Sequence, residues 1–312
     1  MSLTVVLTHV SDPRLSQTLS DIRETAGDAV QVIVVDDLSG TPIEATCPNL
    51  HLANKVIRNR HRVGVGPSRH IGVINAESEF VLFGDSHLRF PAGWLEIALA
   101  RLQAHPKTIF CTTCIGLDST HMRLDSPAAL YYGARMNFDG IDPNNRAKRQ
   151  VFEAVWNKQN PGDNDEIGAV MGGAYLCSKE WFLKLSALRY LRIWGCDEQM
   201  LSLSSWLSGG DCRIITAYGT GHVFNKKGER QPWTCPGGVT TYNKLFTMHV
   251  LLPHDTATSL MVKLRAITDL KEFNYAQEMI KRDWHLIMIE RERFQQMFAR
   301  DFGWYMDKFR VA

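Results

Sequence analysis

A chain of 312 residues with 45% hydrophobic and 22% charged residues is long and apolar enough to bury a full core, which argues against disorder. The formal net charge of +2 demands neither a nucleic-acid nor a membrane partner, so any such contact must come from local basic clusters. No window reaches the roughly 18 uninterrupted apolar residues of a membrane span. The N-terminal apolar run is too short for a secretory signal and no basic stretch precedes it. Seven cysteines, an odd number scattered through apolar segments, read as reduced intracellular thiols, and the expected location is the cytoplasm. Cys111 and Cys114 form a lone CxxC with no second pair to complete a zinc site, so they read as buried thiols.

Leu3 to Thr8 reads as a first buried strand, followed by His9. Ser11, Asp12 and Pro13 then signal a helix start, with apolar spacing at Leu15, Leu19 and Ile22 and a stop at Gly27. Gln31 to Val35 is a second strand closed by Asp36 and Asp37. Strand, helix and strand within about 35 residues make a βαβ unit, whose ligand crevice lies at the strand carboxyl ends. Asp36 and Asp37 sit at such an end, where they either bind a nucleotide or cap the next turn.

Asn49 to Ile57 supplies a third extended piece. The chain then turns basic, with Lys55, Arg58, Arg60, His61, Arg62, Arg69 and His70. Ser68 precedes an amphipathic helix carrying Ile71, Val73 and Ile74. These cations are either a solvated surface or, through Arg69 at the helix start, part of a diphosphate site.

Phe80 to His87, FVLFGDSH, is the most informative stretch. Four apolar residues form a buried strand that runs into Asp85, Ser86 and His87. In extended chain, residues two apart point to the same side, so Asp85 and His87 converge as a metal chelate does. His222, far downstream in GTGHVF, is the candidate third ligand.

Trp94 to Gln103 is a helix and Lys107 to Ile115 a strand. Leu117 to Glu166 reads as a long irregular loop, locally basic at Arg146, Lys148 and Arg149, and is assigned to acceptor recognition. Ile167 to Cys177 is strand-like and carries Gly172 and Gly173, a pair that marks close approach of a ligand or of another backbone. Lys179 to Leu185 is a short helix. Trp194, Asp197 and Glu198 open another, where the acids either serve chemistry or simply favour the helix N-terminus. A strand at Arg213 to Ala217 leads to His222, and Gly228 to Gly238, with Trp233, is a candidate lid. Helices follow at Tyr242 to Leu252, Ala257 to Leu270 and Tyr275 to Phe298, ending in an aromatic tail expected to pack on the rest.

Five segments, in order between Leu3 and Phe224, together resemble the polypeptide N-acetylgalactosaminyltransferase branch of the GT-A glycosyltransferases, and more loosely the family 2 enzymes. They are VIVVDDLSG, VIRNRHRVGVGPSRHIGVINAESEFVLFGDSHLRFPAGWLE, VMGGAYLCSKEWF, IWGCDEQMLSLSSWLSGG and GTGHVF. The resemblance implies an α/β GT-A fold, Rossmann-like with a mostly parallel central sheet. Residues 1–240 would form the catalytic domain and residues 241–312 a helical extension. It implies a UDP-sugar donor bound by Thr8, Asp37, Arg69, Asp85, Gly172, Gly173 and Trp194. Asp85, His87 and His222 would hold the metal, and Asp197 and Glu198 would be catalytic. The chain departs from the family at Pro67 for an arginine, Cys196 for a glycine and Glu198 for an asparagine. Neither the signal anchor nor the lectin domain of the animal enzymes is expected in it.

A divalent ion neutralises the departing diphosphate, and one carboxylate with two imidazoles suits Mn²⁺ better than Mg²⁺. The resemblance favours transfer with retention. With a cytoplasmic setting and basic stretches at Arg146 to Arg149 and Lys226 to Arg230, the expected acceptor is a hydroxymethylated pyrimidine in DNA. A protein Ser/Thr hydroxyl is the alternative, and a catalytically silent sugar-nucleotide or DNA-binding module is the competing class.

Overall fold

The computed structural model describes residues 2–118, 124, 129–142, 145–225 and 234–309. Strand β1 (Leu3–His9), helix α1 (Leu15–Ala26) and strand β2 (Val30–Asp36) form the expected βαβ unit, with β1 and β2 parallel. Both strands are rich in Val and buried along nearly their whole length, as strands covered on two faces must be. Side chains alternate between two cores. Leu3, Val5 and Leu7 pack with α1 on one face, and Val6 faces the other.

After a short helix α2 (Ile43–Thr46), the third extended piece narrows to β3 (Lys55–Arg58). Helix α3 (Val65–Ile74) begins at Val65, four residues before the expected start at Arg69. Pro67 sits in its first turn, where a missing N–H costs nothing. Arg69 is therefore not at a helix start but one turn inside, and it is 3% exposed. One turn further along the same face, Gly72 lets α3 lie close on β1. A Cβ there would come within 2.1 Å of Val6 Cγ1.

Strand β4 (Phe80–Asp85) pairs parallel with β1 and is followed by the two-residue β5 (Leu88–Arg89) and helix α4 (Trp94–Ala104). Strand β6 (Thr108–Asp118) carries Cys111 and Cys114, both buried free thiols.

Residues 117–166, expected to be irregular, contain β7 (Ala129–Tyr131) and a hairpin of β8 (Ala134–Asp142) and β9 (Asn145–Trp156). Their Asp, Asn and Gly content masks a period of two, since Ala134, Met136 and Phe138 are all buried. Arg149, expected to meet an acceptor, is paired with Asp139 across this hairpin. The side chains of Arg146 and Lys148 lie outside the described residues, as do Lys226, Lys227, Arg230 and Trp233.

Strand β10 (Ala174–Ser178) is shorter than the apolar run containing it, because Gly172 and Gly173 adopt φ of +140° and +76°. It inserts antiparallel between β4 and β6. Helix α5 (Lys179–Leu185), helix α6 (Asp197–Leu207) and strand β11 (Asp211–Phe224) follow. The sheet order is β3-β2-β1-β4-β10-β6-β11-β5, with β7 on β6. Pairing is parallel from β3 to β4 and between β6 and β11, and antiparallel elsewhere, so the sheet is mixed.

Helices α7 (Val239–Leu251), α8 (His254–Ile267), α9 (Leu270–Arg282), α10 (Trp284–Met297) and α11 (Phe302–Phe309) complete the chain. The single helix expected over Tyr275 to Phe298 is broken at Asp283, whose carboxylate accepts from Tyr242 at 2.6 Å and pairs with Arg192. Phe246, Phe294 and Tyr305 share one apolar cluster with Val6 and Leu203, so these helices and the sheet enclose a common core. Among the described residues no helix is long and apolar enough to cross a membrane.

Candidate active site

The carboxyl ends of β1, β2 and β4 open into a cavity of about 630 Å³. Its walls carry Thr8, Asp37, Arg69, Asp85, His87, Gly172, Gly173, Trp194, Asp197, Glu198 and His222, so the donor, metal and catalytic candidates lie around one cavity, while Asp36 and the basic residues expected to meet an acceptor do not line it among the described residues.

The Asp85–His87 pair meets His222 through sheet pairing. In β11 the register slips between Ile215 and Gly219, and the strand then pairs with β5 so that His222 stands opposite Leu88. A further backbone bond from Val223 N to His87 O, 3.1 Å, fixes the approach. One ligand atom from each of Asp85, His87 and His222 lies within 4.8 Å of the others. His222 Nε2 is 3.3 Å and His87 Nε2 4.0 Å from Asp85 Oδ2.

This cluster fits a divalent ion on its own chemistry. Burial lowers the His222 pKa, outweighing the pull of Asp85, so the imidazole is held neutral. Burial alone would raise Asp85, but His222 and Arg69 hold it well below the usual carboxylate range. Asp12, read from the sequence only as a helix start, accepts from His87 Nδ1 at 2.7 Å and leaves Nε2 facing the cluster. A carboxylate behind a histidine in this way is the usual outer support of a metal ligand. Gly173 adds the remaining constraint. Its N–H side is turned by φ of +76°, and a Cβ would lie 2.5 Å from His222 Cδ2 and 3.0 Å from Asp85 Oδ2.

Arg69 binds no open space. Its guanidinium donates to Asp85 Oδ1 at 2.8 Å and to Asp197 Oδ2 at 3.1 Å, tying the cluster to the start of α6. Burial raises the Asp197 pKa against the opposing charge of Arg69. Glu198 accepts from the Tyr175 hydroxyl at 2.7 Å.

Of the two acids ending β2, Asp36 caps its turn, bonding Ser39 and Arg58. Asp37 accepts from Asn59 Nδ2 and from the N–H groups of Val63 and Gly64, all within 2.9 Å. Its carboxylate thus shapes the loop before α3, and Arg62 approaches to 3.9 Å. Thr8 donates to Gly84 O at 3.3 Å.

Trp194 stands 51% exposed at the cavity mouth. Its segment is held from α7 by Asn243, which donates to the carbonyls of Arg192, Trp194 and Gly195. Nothing in the sequence around Asn243 marked it, because its partners lie about fifty residues away.

The model of the family described as glycosyl transferase family 2 matches residues 4–157. A putative polypeptide N-acetylgalactosaminyltransferase 13 of Drosophila melanogaster is 30% identical over 202 residues, covering 64% of this chain and 35% of that protein. The human polypeptide N-acetylgalactosaminyltransferase 13 is 24% identical over 289 residues, covering 89% and 48%. The chain thus spans less than half the length of these relatives. Among solved structures, GalNAc-T7 with UDP, GalNAc and Mn2+ superposes with a TM-score of 0.68 at 16% identity, covering 99% of this chain and 56% of that one. S. aureus TarS 1-349 in complex with UDP-GlcNAc gives 0.55 at 13% identity, covering 83% and 70%. Residues 4–157 carry a glycosyl transferase family 2 domain, and the chain as a whole is homologous to the polypeptide N-acetylgalactosaminyltransferases and has a GT-A fold.

Proposed function

We propose that the protein is a metal-dependent glycosyltransferase that moves a sugar from a UDP-sugar to a hydroxyl. The observation that carries this is the convergence of Asp85, His87 and His222 in the cavity at the strand carboxyl ends. Support comes from relatives named as N-acetylgalactosaminyltransferases and from structural neighbours solved with UDP or UDP-GlcNAc.

Asp85, His87 and His222 would hold Mn²⁺ or a similar ion, which supplies Lewis-acid neutralisation of the diphosphate as it leaves. The chain's own residues do the rest. Arg69 helps keep Asp85 charged and holds Asp85 and Asp197 fixed relative to each other. Thr8, Asp37 and the loop it organises form the nucleoside end, and Gly172 and Gly173 leave room for the sugar beside the ion. Asp197 and Glu198 face the cavity from the first turn of α6 and orient the sugar or the incoming hydroxyl. In the retaining course the departing phosphate accepts the hydroxyl proton. Residues 1–240 form the donor-binding unit in this scheme, with the helices beyond holding the Trp194 segment.

The hydroxyl's carrier has two candidates. The relatives favour a protein Ser/Thr side chain. Hydroxymethylated pyrimidine in DNA draws on basic stretches that lie mostly outside the described residues, and Arg149 is already paired with Asp139. The test is release of UDP from UDP-GalNAc and UDP-GlcNAc with Mn²⁺ and with chelator, using Ser/Thr peptides and hydroxymethylated DNA as acceptors. Turnover that needs the metal and an acceptor supports the assignment. Metal-independent turnover, or none with any donor, overturns it.

A further inference from the structure

Beyond the residues already discussed, the cavity wall holds a second polar cluster built from three separate elements. Glu153 comes from β9, Gln199 from the first turn of α6 and Lys244 from α7. Gln199 and Lys244 are 3% and 8% exposed, depths at which a polar side chain without a task is rare. Lys244 Nζ donates to Glu153 Oε1 and to Val151 O. Gln199 Nε2 donates to Phe152 O at 3.1 Å and to Glu153 Oε2 at 3.4 Å. The Glu153 carboxylate is thereby clamped between two donors while its side chain stays 33% exposed. Gln199 Oε1 is buried and has no hydrogen-bond partner among the described residues.

A strut between α7 and β9 would need neither the cavity position nor an unpartnered amide oxygen. A fixed carboxylate and a free amide oxygen are acceptors, and an ammonium with hydrogens to spare is a donor. Set side by side, they match neighbouring hydroxyls on a ring, each of which can donate and accept. The cluster also adjoins the transfer centre. Gln199 directly follows Asp197 and Glu198, and Asp197 is joined through Arg69 to Asp85.

We propose that Glu153, Gln199 and Lys244 form the subsite that reads the hydroxyl pattern of the transferred sugar. This rests on the glycosyltransferase assignment and deepens it, and it makes α7 part of the donor site. A pocket built to hydrogen-bond a hydroxyl rejects an isomer that misplaces it, because its own polar groups are then left unpaired.

The test is calorimetry with Mn²⁺ on the full chain, comparing UDP, UDP-GalNAc and UDP-GlcNAc, two sugars that differ in the setting of one hydroxyl. The variants are Glu153→Gln and Lys244→Met, with Lys244→Arg as a milder change that keeps the charge in the core. In each, UDP affinity should stay within about twofold, while the preferred UDP-sugar binds roughly tenfold more weakly and the preference between the two sugars narrows. The proposal is overturned if UDP and UDP-sugar weaken together, if neither changes, or if only the KM for an acceptor rises. A wild-type protein that binds both sugars equally overturns it too. Failure of the wild-type protein to bind UDP at all would instead strike the glycosyltransferase assignment beneath it.

Discussion

Asp12 Oδ2 lies 2.7 Å from His87 Nδ1, and the same carboxylate is gripped by Arg14 at 2.8 Å. Arg14 in turn donates to Val223 O, next to His222. One acid at the start of α1 therefore sets the tautomer of one candidate ligand and braces the strand carrying another. Replacing Asp12 with Asn should leave the fold intact while Mn²⁺ affinity falls about 10- to 100-fold, the usual cost of losing such a support. Calorimetric titration of Mn²⁺ checks this, and an unchanged affinity would sink the supporting role.

Gly173→Ala should be as damaging without removing a ligand. The added methyl would press on His222 and Asp85, and φ of +76° disfavours any side chain. Mn²⁺ binding should weaken by at least about tenfold. Gly172→Ala meets nothing closer than Cys114 Cβ at 3.4 Å, so its effect on the metal should be smaller. A metal affinity for Gly173→Ala equal to that of the wild-type protein would show that the predicted clash is relieved without cost.

Arg69 is almost wholly buried between two carboxylates. Arg69→Met would strand both, and breaking a buried pair in this way costs roughly 3–5 kcal/mol. Denaturant unfolding measures it. A loss below about 1 kcal/mol would mean that Asp85 and Asp197 are reached by water or neutralised once Arg69 is gone.

The convergence of the candidate metal ligands is legible in part because Asp85 and His87 are two residues apart on a strand end, so local geometry alone aims them together. The hairpin of β8 and β9 was not, since Asp139, Gly140 and Asn137 signal turns and only the buried alternate positions betray a strand. Helix α3 begins before the Ser68 start signal because a proline such as Pro67, which stops a helix in its interior, is tolerated in the first turn. Asp12, Asn243 and Lys244 escaped for a common reason. Each acts on a partner distant in the chain, 75 residues away for Asp12 and His87, and no local pattern encodes such a pairing. The break at Asp283 is of the same kind, set by Tyr242 and Arg192 rather than by neighbours in sequence.

Two histidines outside the candidate metal cluster should shape the acid side of the stability profile. Burial, then the charges of Arg189 and Arg293, push His70 down to about 4. Burial, then Arg291 and His254, do the same to His249, also to about 4. In the unfolded chain both would take up a proton near the ordinary value of about 6.5. Between those limits the unfolded state binds more protons than the folded one, so stability rises with pH and is lost as pH falls from about 6.5 towards 4. His70→Gln and His249→Gln should each flatten the fall in Tm across that window, and the double variant should flatten it most. Both substitutions cost some packing, His70 against Phe182 and His249 against Trp284, so the diagnostic is the slope with pH and not the Tm at neutrality. If thermal scans in steps from pH 7 to pH 4 gave parallel curves for the wild-type protein and the double variant, acid unfolding would have to start elsewhere.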